Sequence, residues 1–293
     1  MAGAIGAAWR AVRDLIQGEI SRGGPAAADL TRNFADASRG AADSLSDAAS
    51  EAADQVKWLT GMTFDRRPVR FRPADVWSKP LIDAHGVRIG ATFQPDQGGA
   101  VAQRAIRWAE QDTRQADTEV VPTRNVGQDR WIDSPPEDAP WAEAVRQSGQ
   151  PPNYFFIHGT PDGDHFVVSV NRGTEAEEDW VEVKLNGRAG GQMLEAHENS
   201  ARAIERNPAG EQVLVACRTG APDASAARLA SEYLHSTGTV TGNIHAPTDI
   251  ASTPHPYADR APTELYAERS GPNDQLFETY RGPGSDPGPA AGS

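Results

Sequence analysis

The chain has 293 residues, and its 28 basic and 41 acidic side chains give a formal net charge of −13. This charge opposes binding to phosphate backbones and anionic lipid, so nucleic acid is not expected as a partner. The residues are 38% hydrophobic, with 28 glycines and 22 prolines, and the mean hydropathy is −0.57. Such a composition predicts that about two thirds of the chain is packed and that the ends are flexible.

Cysteine content and hydropathy bear on the cellular compartment in which the protein is expected. The single cysteine, Cys217, excludes an intrachain disulfide, so nothing in the sequence indicates an oxidised extracellular fold. No stretch reaches the ~18 apolar residues of a membrane span, and the first residues lack a basic region followed by an apolar one. We therefore predict a soluble protein that is cytoplasmic as synthesised, and export by a non-classical route is left open.

The first 84 residues divide into two parts. Residues 1–59 carry apolar side chains at helical spacing, among them Ile5, Trp9 and Ile16, which predicts a helical arm or hairpin. These helices offer a surface for a protein partner. Residues 60–84 contain prolines between arginines, a pattern that cannot form a regular helix and is read as a linker.

Strands and helices alternate from residue 85 to residue 250, which predicts one α/β domain. A long polar loop is expected over 122–152, and residues 251–293, rich in proline and glycine, are predicted to be a disordered tail. Strands are predicted over 87–93, 118–121, 154–157, 165–170, 180–185 and 213–216, with one more over either 239–240 or 243–246, and helices over 100–114, 190–206 and 222–234.

Two of these strands end in reactive side chains. The apolar run 154–157 leads into His158 and Gly159, and the run 213–216 leads into Cys217. Working groups of open α/β sheets lie just beyond the carboxyl ends of buried strands, so neighbouring strands would bring the two side chains together. An imidazole can take the proton of a thiol and generate a nucleophile. His158 and Cys217 are therefore a candidate Cys/His dyad.

The two blocks resemble the caspase-like (clan CD) cysteine peptidases, in which one strand ends in His-Gly and a later neighbour ends in Ala-Cys. Phe155 to Gly159 matches the first block, Val215 to Arg218 matches the second, and His158 and Cys217 are 59 residues apart, close to the roughly 50 of caspases. Within that clan the chain is most similar to autoprocessing cysteine protease domains of large bacterial toxins and polymorphic toxin-type proteins. The likeness covers residues 85–250.

The resemblance implies a caspase-like three-layer sandwich with a mostly parallel central sheet and a β-hairpin, here preceded by the N-terminal helical arm. It also implies that Cys217 is the nucleophile and His158 the base and then the acid. The backbone N–H groups of Gly159 and Cys217 would form the oxyanion hole. The implied substrate is a polypeptide, either the chain itself or another protein, and no cofactor or metal is predicted. Val215 stands where caspases have a glutamine, so cleavage after aspartate is not expected.

Other function classes fit the sequence less well or remain open. His197-Glu198 begins like a zincin motif, but Ala201 replaces the second histidine, which excludes that class. The Gly-x-Ser-x-Gly motif of a serine nucleophile elbow is absent. The alternative to a peptidase is a catalytically silent caspase-like scaffold, recruited through the N-terminal helices. For a self-cleaving enzyme, the cut is expected within 58–80 or beyond residue 250.

Overall fold

The computed structural model describes residues 58–94, 100–127, 131–174, 177–253, 263–269, 271 and 274–283. All of them belong to the second of two compact units, Lys57–Ser293. The predicted helical arm lies outside the described residues except for Trp58 and Leu59. Within the described ranges, no helix has the length and apolarity needed to cross a membrane.

The described part of the chain is mixed α/β, with five helices and three sheets. The helices are α1 Ala100–Ala109, α2 Ala142–Ser148, α3 Gly187–Ala196, α4 Glu198–Arg206 and α5 Ala226–Ser236. The strands are β1 Leu59–Met62, β2 Pro68–Phe71, β3 Lys79–Ile82, β4 Arg88–Thr92, β5 Glu119–Asn125, β6 Trp131–Asp133, β7 Glu137–Asp138, β8 Asn153–Phe156, β9 His158–Gly159, β10 His165–Asn171, β11 Trp180–Asn186, β12 Gln212–Val215, β13 Ile244–Pro247, β14 Ala251–Ser252, β15 Tyr266–Glu268 and β16 Phe277–Tyr280.

The central sheet has the strand order β16-β13-β12-β8-β4-β3. Its four inner strands are parallel, and the two edge strands β3 and β16 are antiparallel to their neighbours. A mostly parallel central sheet was expected and is confirmed. An antiparallel sheet, β2-β1-β11-β10-β9, contains the predicted hairpin as β10 and β11. A third sheet has the order β14-β15-β5-β6, and β7 also pairs with β5.

The central sheet is buried on both faces, which explains the unbroken apolar runs at β8 and β12. On β8, Phe155 belongs to one core cluster, and Tyr154 and Phe156 belong to the other. The first cluster adds side chains of α3, α4, α5 and the antiparallel sheet. The second adds side chains of α1, α2 and the third sheet. Alternation along one strand therefore divides the domain into two cores.

The segments predicted as linker and tail contribute strands to these sheets, which corrects both predictions. Residues 60–84 contain most of β1 together with β2 and β3, and residues 251–293 contain β14, β15 and β16. Pro68 and Pro80 lie on β2 and β3, which are both edge strands. Proline is tolerated at a sheet edge because no ladder partner needs its missing N–H. The remaining residues of the predicted tail lie outside the described ranges.

Two other predicted segments are divided by local features. The helix predicted over 190–206 breaks at His197, whose ring Nδ1 accepts a hydrogen bond from the Asn199 N–H at 3.2 Å and so caps α4. Its Nε2 lies 3.2 Å from the Val76 carbonyl oxygen, and burial lowers the pKa of this histidine. The predicted loop over 122–152 contains the end of β5, two short strands and α2.

Gly90 on β4 provides a test of the tight packing between β4 and β8. Its φ is +151°, and a methyl group there would overlap the Tyr154 carbonyl of β8. We expect Gly90→Ala to lower the free energy of unfolding by about 2 kcal/mol or more, because strain and overlap add. Gly86→Ala is the matched control, since its φ is +79° in open space. The control should cost about 1 kcal/mol. Equal losses in urea unfolding would contradict this account of the overlap.

Candidate active site

The pairing of β8 with β12 brings the two reactive side chains to one edge of the central sheet. The strands are parallel neighbours, and Phe156 is opposite Val215 at the end of the ladder. The Ile157 N–H donates to the Val215 carbonyl at 3.1 Å and extends the pairing by one step. His158 and Cys217 each follow two residues after the last pair. The sequence argument required that these strands be neighbours, and they are.

Cys217 begins a tight turn that the chain stabilises from several sides. Arg218 has a φ of +61°, the left-handed conformation that side chains rarely adopt. Its N–H donates to the Asp249 carbonyl at 2.9 Å. The Thr219 hydroxyl donates to the Ala216 carbonyl at 2.8 Å and closes the turn. These bonds fix the backbone on which the thiol is mounted.

His158 is held on the other side by the antiparallel sheet. It lies on β9, opposite Val167 of β10, so it belongs to a strand that leaves the central sheet and joins the second one. The backbone of Gly159 lies directly against that of Cys217. The approach is so close that a methyl group at Gly159 would overlap the Cys217 carbonyl oxygen. This contact is why the histidine is followed by glycine.

Both side chains line a cavity of about 310 Å³. Its walls come from α1, from the third sheet and from the segment 250–253, and they are mostly apolar. Among the described lining residues, Arg104 is the only Lys, Arg, Asp or Glu. Trp131 and Tyr266 add aromatic surface. The size and lining are those of a binding pocket for a side chain or small ligand.

The surroundings of Cys217 favour the neutral thiol. Its S–H donates to the Ala251 carbonyl at 3.8 Å. Burial raises the pKa of the Cys217 thiol, and the carboxylates of Asp249 and Glu268 raise it further. A partly buried thiol near negative charges keeps its proton, so attack on a carbonyl requires a base at the moment of reaction.

The two carboxylates are also coupled to each other. Burial raises the pKa of Glu268, and the nearby charge of Asp249 raises it further. The positive charge of Arg218 partly offsets the two carboxylates. Its Nη1 lies 3.9 Å from the Asp249 Oδ1, and its charge lowers the pKa of Glu268. The region next to the thiol is therefore anionic and only loosely neutralised.

The backbone N–H groups of Gly159 and Cys217 are the donors that the resemblance implies for an oxyanion hole. The Thr160 N–H donates to the His165 carbonyl of β10 at 3.0 Å. Because successive N–H groups of an extended strand alternate in direction, the Gly159 N–H points away from β10, towards the side of Cys217. In the part of the chain that the structure describes, no carbonyl accepts a hydrogen bond from the Cys217 N–H. Within the described residues, these two N–H groups are therefore candidate donors for the oxygen of a carbonyl that the thiol attacks.

The structure brings together His158, Gly159 and Cys217, the residues that the sequence singled out. Sequence reasoning missed Arg104, Tyr266 and the 250–253 wall, and it did not assign a role to Asp249 or Glu268. Trp131 was visible in the sequence as a tryptophan within a long polar loop. Tyr266 and Glu268 lie in the segment predicted as a disordered tail, which was not expected to fold back onto the domain. Arg104 lies on a predicted helix and Asp249 follows a predicted strand, but no local pattern places either of them near the thiol.

Comparison with protein-family models, with curated proteins and with solved structures found no significant match. The functional argument therefore depends on the geometry and chemistry of this site.

Alkylation of Cys217 by iodoacetamide tests the electrostatics, and no other cysteine can react. Because the pKa of the thiol is raised, the rate should increase with pH around a midpoint above the ordinary value of about 8.5. Glu268→Gln should lower this midpoint, because it removes a carboxylate that disfavours the thiolate. Glu232→Gln on α5 is the control and should leave it unchanged.

The same pKa shift predicts a pH dependence of folding. The unfolded chain ionises its thiol more readily than the folded one, so the contribution of Cys217 to stability is present below the unfolded pKa and is lost as the pH rises above it. In denaturant the alkylation midpoint should return to about 8.5. A native midpoint below that value would show a preformed thiolate and contradict this account.

Proposed function

We propose that the protein is a cysteine endopeptidase of the caspase-like type, in which Cys217 and His158 form the catalytic dyad. One observation carries the proposal. The two residues follow the ends of adjacent parallel strands and line the same mostly apolar cavity. A soft nucleophile next to an imidazole, with backbone N–H donors nearby, is the combination needed for acyl transfer.

The arrangement supports a complete reaction. A peptide bond enters the cavity beside Cys217, His158 takes the thiol proton, and the sulfur attacks the carbonyl carbon. The negative oxygen that forms accepts hydrogen bonds from the N–H groups of Gly159 and Cys217. The intermediate collapses to a thioester as His158 returns the proton to the leaving amine. Water, deprotonated by His158, then hydrolyses the thioester and regenerates the thiol.

The resting thiol is consistent with this mechanism. Because burial and two carboxylates raise the pKa of Cys217, the resting enzyme has a neutral thiol and not a thiolate paired with an imidazolium. His158 must therefore act as a general base in the attack step. Such a resting state protects the thiol from oxidation and from unspecific electrophiles, because the thiolate is the reactive form.

The substrate is a polypeptide, either another protein or a part of this chain, as in the autoprocessing domains of toxin-like and effector systems. The folded elements narrow the choice within the chain. Residues 58–80 contain the paired strands β1 and β2. A protease binds its substrate as an extended segment, so a strand that is hydrogen-bonded within a sheet must first unpair before it can be cut. Self-cleavage would therefore fall outside this hairpin.

A catalytically silent scaffold is the second candidate, and one observation favours it. The Cys217 thiol is directed to the Ala251 carbonyl, and burial raises its pKa, as in cysteines that serve only as small apolar side chains. In that case the sheet and cavity would serve binding alone.

Hydrolysis of a fluorogenic tetrapeptide library, varied at the residue before the scissile bond, separates the two candidates. We expect the wild type to hydrolyse some pools, and we expect Cys217→Ala to abolish hydrolysis because it removes the nucleophile. His158→Ala should reduce the rate by about 10²- to 10⁴-fold, because it removes the general base. His165→Ala is the matched control, a partly exposed histidine of the adjoining strand, and should retain activity.

Activity that survives Cys217→Ala would overturn the dyad. No hydrolysis of any pool by the wild type, together with no change in intact mass on prolonged incubation at high concentration, would favour the scaffold.

A further inference from the structure

A second concave surface lies on the antiparallel sheet and contains none of the residues that line the active-site cavity. It is an open groove of about 510 Å³ between the β1–β2 hairpin and the end of β10. We call it the arginine groove, because four arginine side chains line it: Arg67, Arg70, Arg72 and Arg172.

The residues that line the groove are mostly basic, whereas the chain as a whole is acidic. The chain has a net charge of −13, yet Asp75 is the only acidic side chain among the described residues that line the groove. The four lining guanidinium groups outnumber the three carboxylates that pair with them, those of Asp65, Asp75 and Asp179. A local positive potential on an acidic protein attracts a partner with a matching negative pattern.

Three of the arginines are paired with carboxylates. Arg67 pairs with Asp65 at 2.7 Å, and Arg72 pairs with Asp75 at 2.8 Å. Arg172 lies 3.8 Å from Asp179, and both side chains are about half exposed, at 47% and 60%. The exposed pairs of Arg67 and Arg172 contribute little to stability, so an incoming carboxylate can compete for these two side chains, whereas Arg72 is held by Asp75 through two side-chain hydrogen bonds.

Arg70 has an aromatic contact. Its guanidinium lies 4.9 Å from the ring centroid of Trp58, which is 51% exposed. A cation above an exposed indole is held in place and keeps its N–H donors available. The groove therefore combines fixed positive charge with an apolar wall.

The backbone of β2 provides a third feature. β2 is the last strand of its sheet, and β1 is its only strand partner within the described residues. The Thr63 N–H donates to the Arg67 carbonyl, and the register places Thr60 opposite Arg70. Because antiparallel pairs alternate, the N–H and C=O of Arg70 point away from β1, towards the open edge. An extended chain could pair with them.

We propose that the arginine groove binds an acidic peptide in extended conformation, which adds to the edge of β2 and pairs its carboxylates with Arg67, Arg70, Arg72 and Arg172. Backbone pairing at Arg70 provides affinity, and carboxylates on alternate residues provide specificity. A short acidic peptide is favoured over nucleic acid because a long polyanion would be repelled by the net charge of the chain. The proposal is independent of the catalytic assignment.

The test is the fluorescence anisotropy of a labelled peptide of alternating glutamate and valine, added to the full chain. We expect saturable binding that weakens between about 0.05 and 0.5 M salt, because the contacts are ionic. The same peptide with glutamine in place of glutamate should bind at least about tenfold more weakly. Methylation of alternate backbone nitrogens should also weaken binding, because it removes the donors for pairing with β2.

Variants localise the site. Arg70→Gln combined with Arg172→Gln should raise the Kd at least about tenfold. Arg202→Gln combined with Arg228→Gln is the control, since these are exposed helical arginines, each with a carboxylate four residues away. It should leave the Kd unchanged. Equal binding of the neutral peptide, an unchanged Kd in the groove variant, or an equal loss in the control variant would overturn the proposal. Undiminished binding of the methylated peptide would overturn pairing with β2.

Discussion

The parallel pairing of β8 with β12 is the constraint on which the site depends. These strands lie at the centre of the main sheet. Their register determines which residue of each strand is the first to extend beyond the carboxyl edge of the sheet. Because the last paired residues are Phe156 and Val215, His158 and Cys217 emerge at the same level. A shift of one residue in either strand would place an adjacent residue, Ile157 or Gly159 on one strand and Ala216 or Arg218 on the other, where the imidazole or the thiol now lies.

Burial on both faces protects that register. Tyr154 and Phe156 belong to one core and Phe155 to the other, so a slip by one residue would exchange the two sets. Gly159 adds a local constraint, because its backbone contacts the Cys217 carbonyl and leaves no space for a side chain. Packing energy that accumulates over the whole sheet is thus what holds two reactive groups in one place.

Charge is distributed unevenly over the described domain. Burial raises the pKa of the Cys217 thiol, and the nearby carboxylates of Asp249 and Glu268 raise it further. On the antiparallel sheet, in contrast, arginines face a groove with a single acidic lining residue among the described ones. The two surfaces are therefore suited to different tasks. One raises the pKa of the Cys217 thiol, and the other presents fixed positive charge.

The sequence by itself determined the buried strands and the reactive residues that follow them. Unbroken apolar runs indicate strands covered on both faces, and His158 and Cys217 follow such runs directly, so local pattern was sufficient for both. The prolines of residues 60–84 and the composition beyond residue 250 were misleading, because proline at a sheet edge and proline in a linker look the same in sequence. Only the tertiary structure decided that these segments complete the sheets, that 250–253 forms a wall of the cavity, and that Asp249 and Glu268 lie near the thiol. These features arise from contacts between residues far apart in the chain, and such contacts are fixed by packing and leave no local pattern.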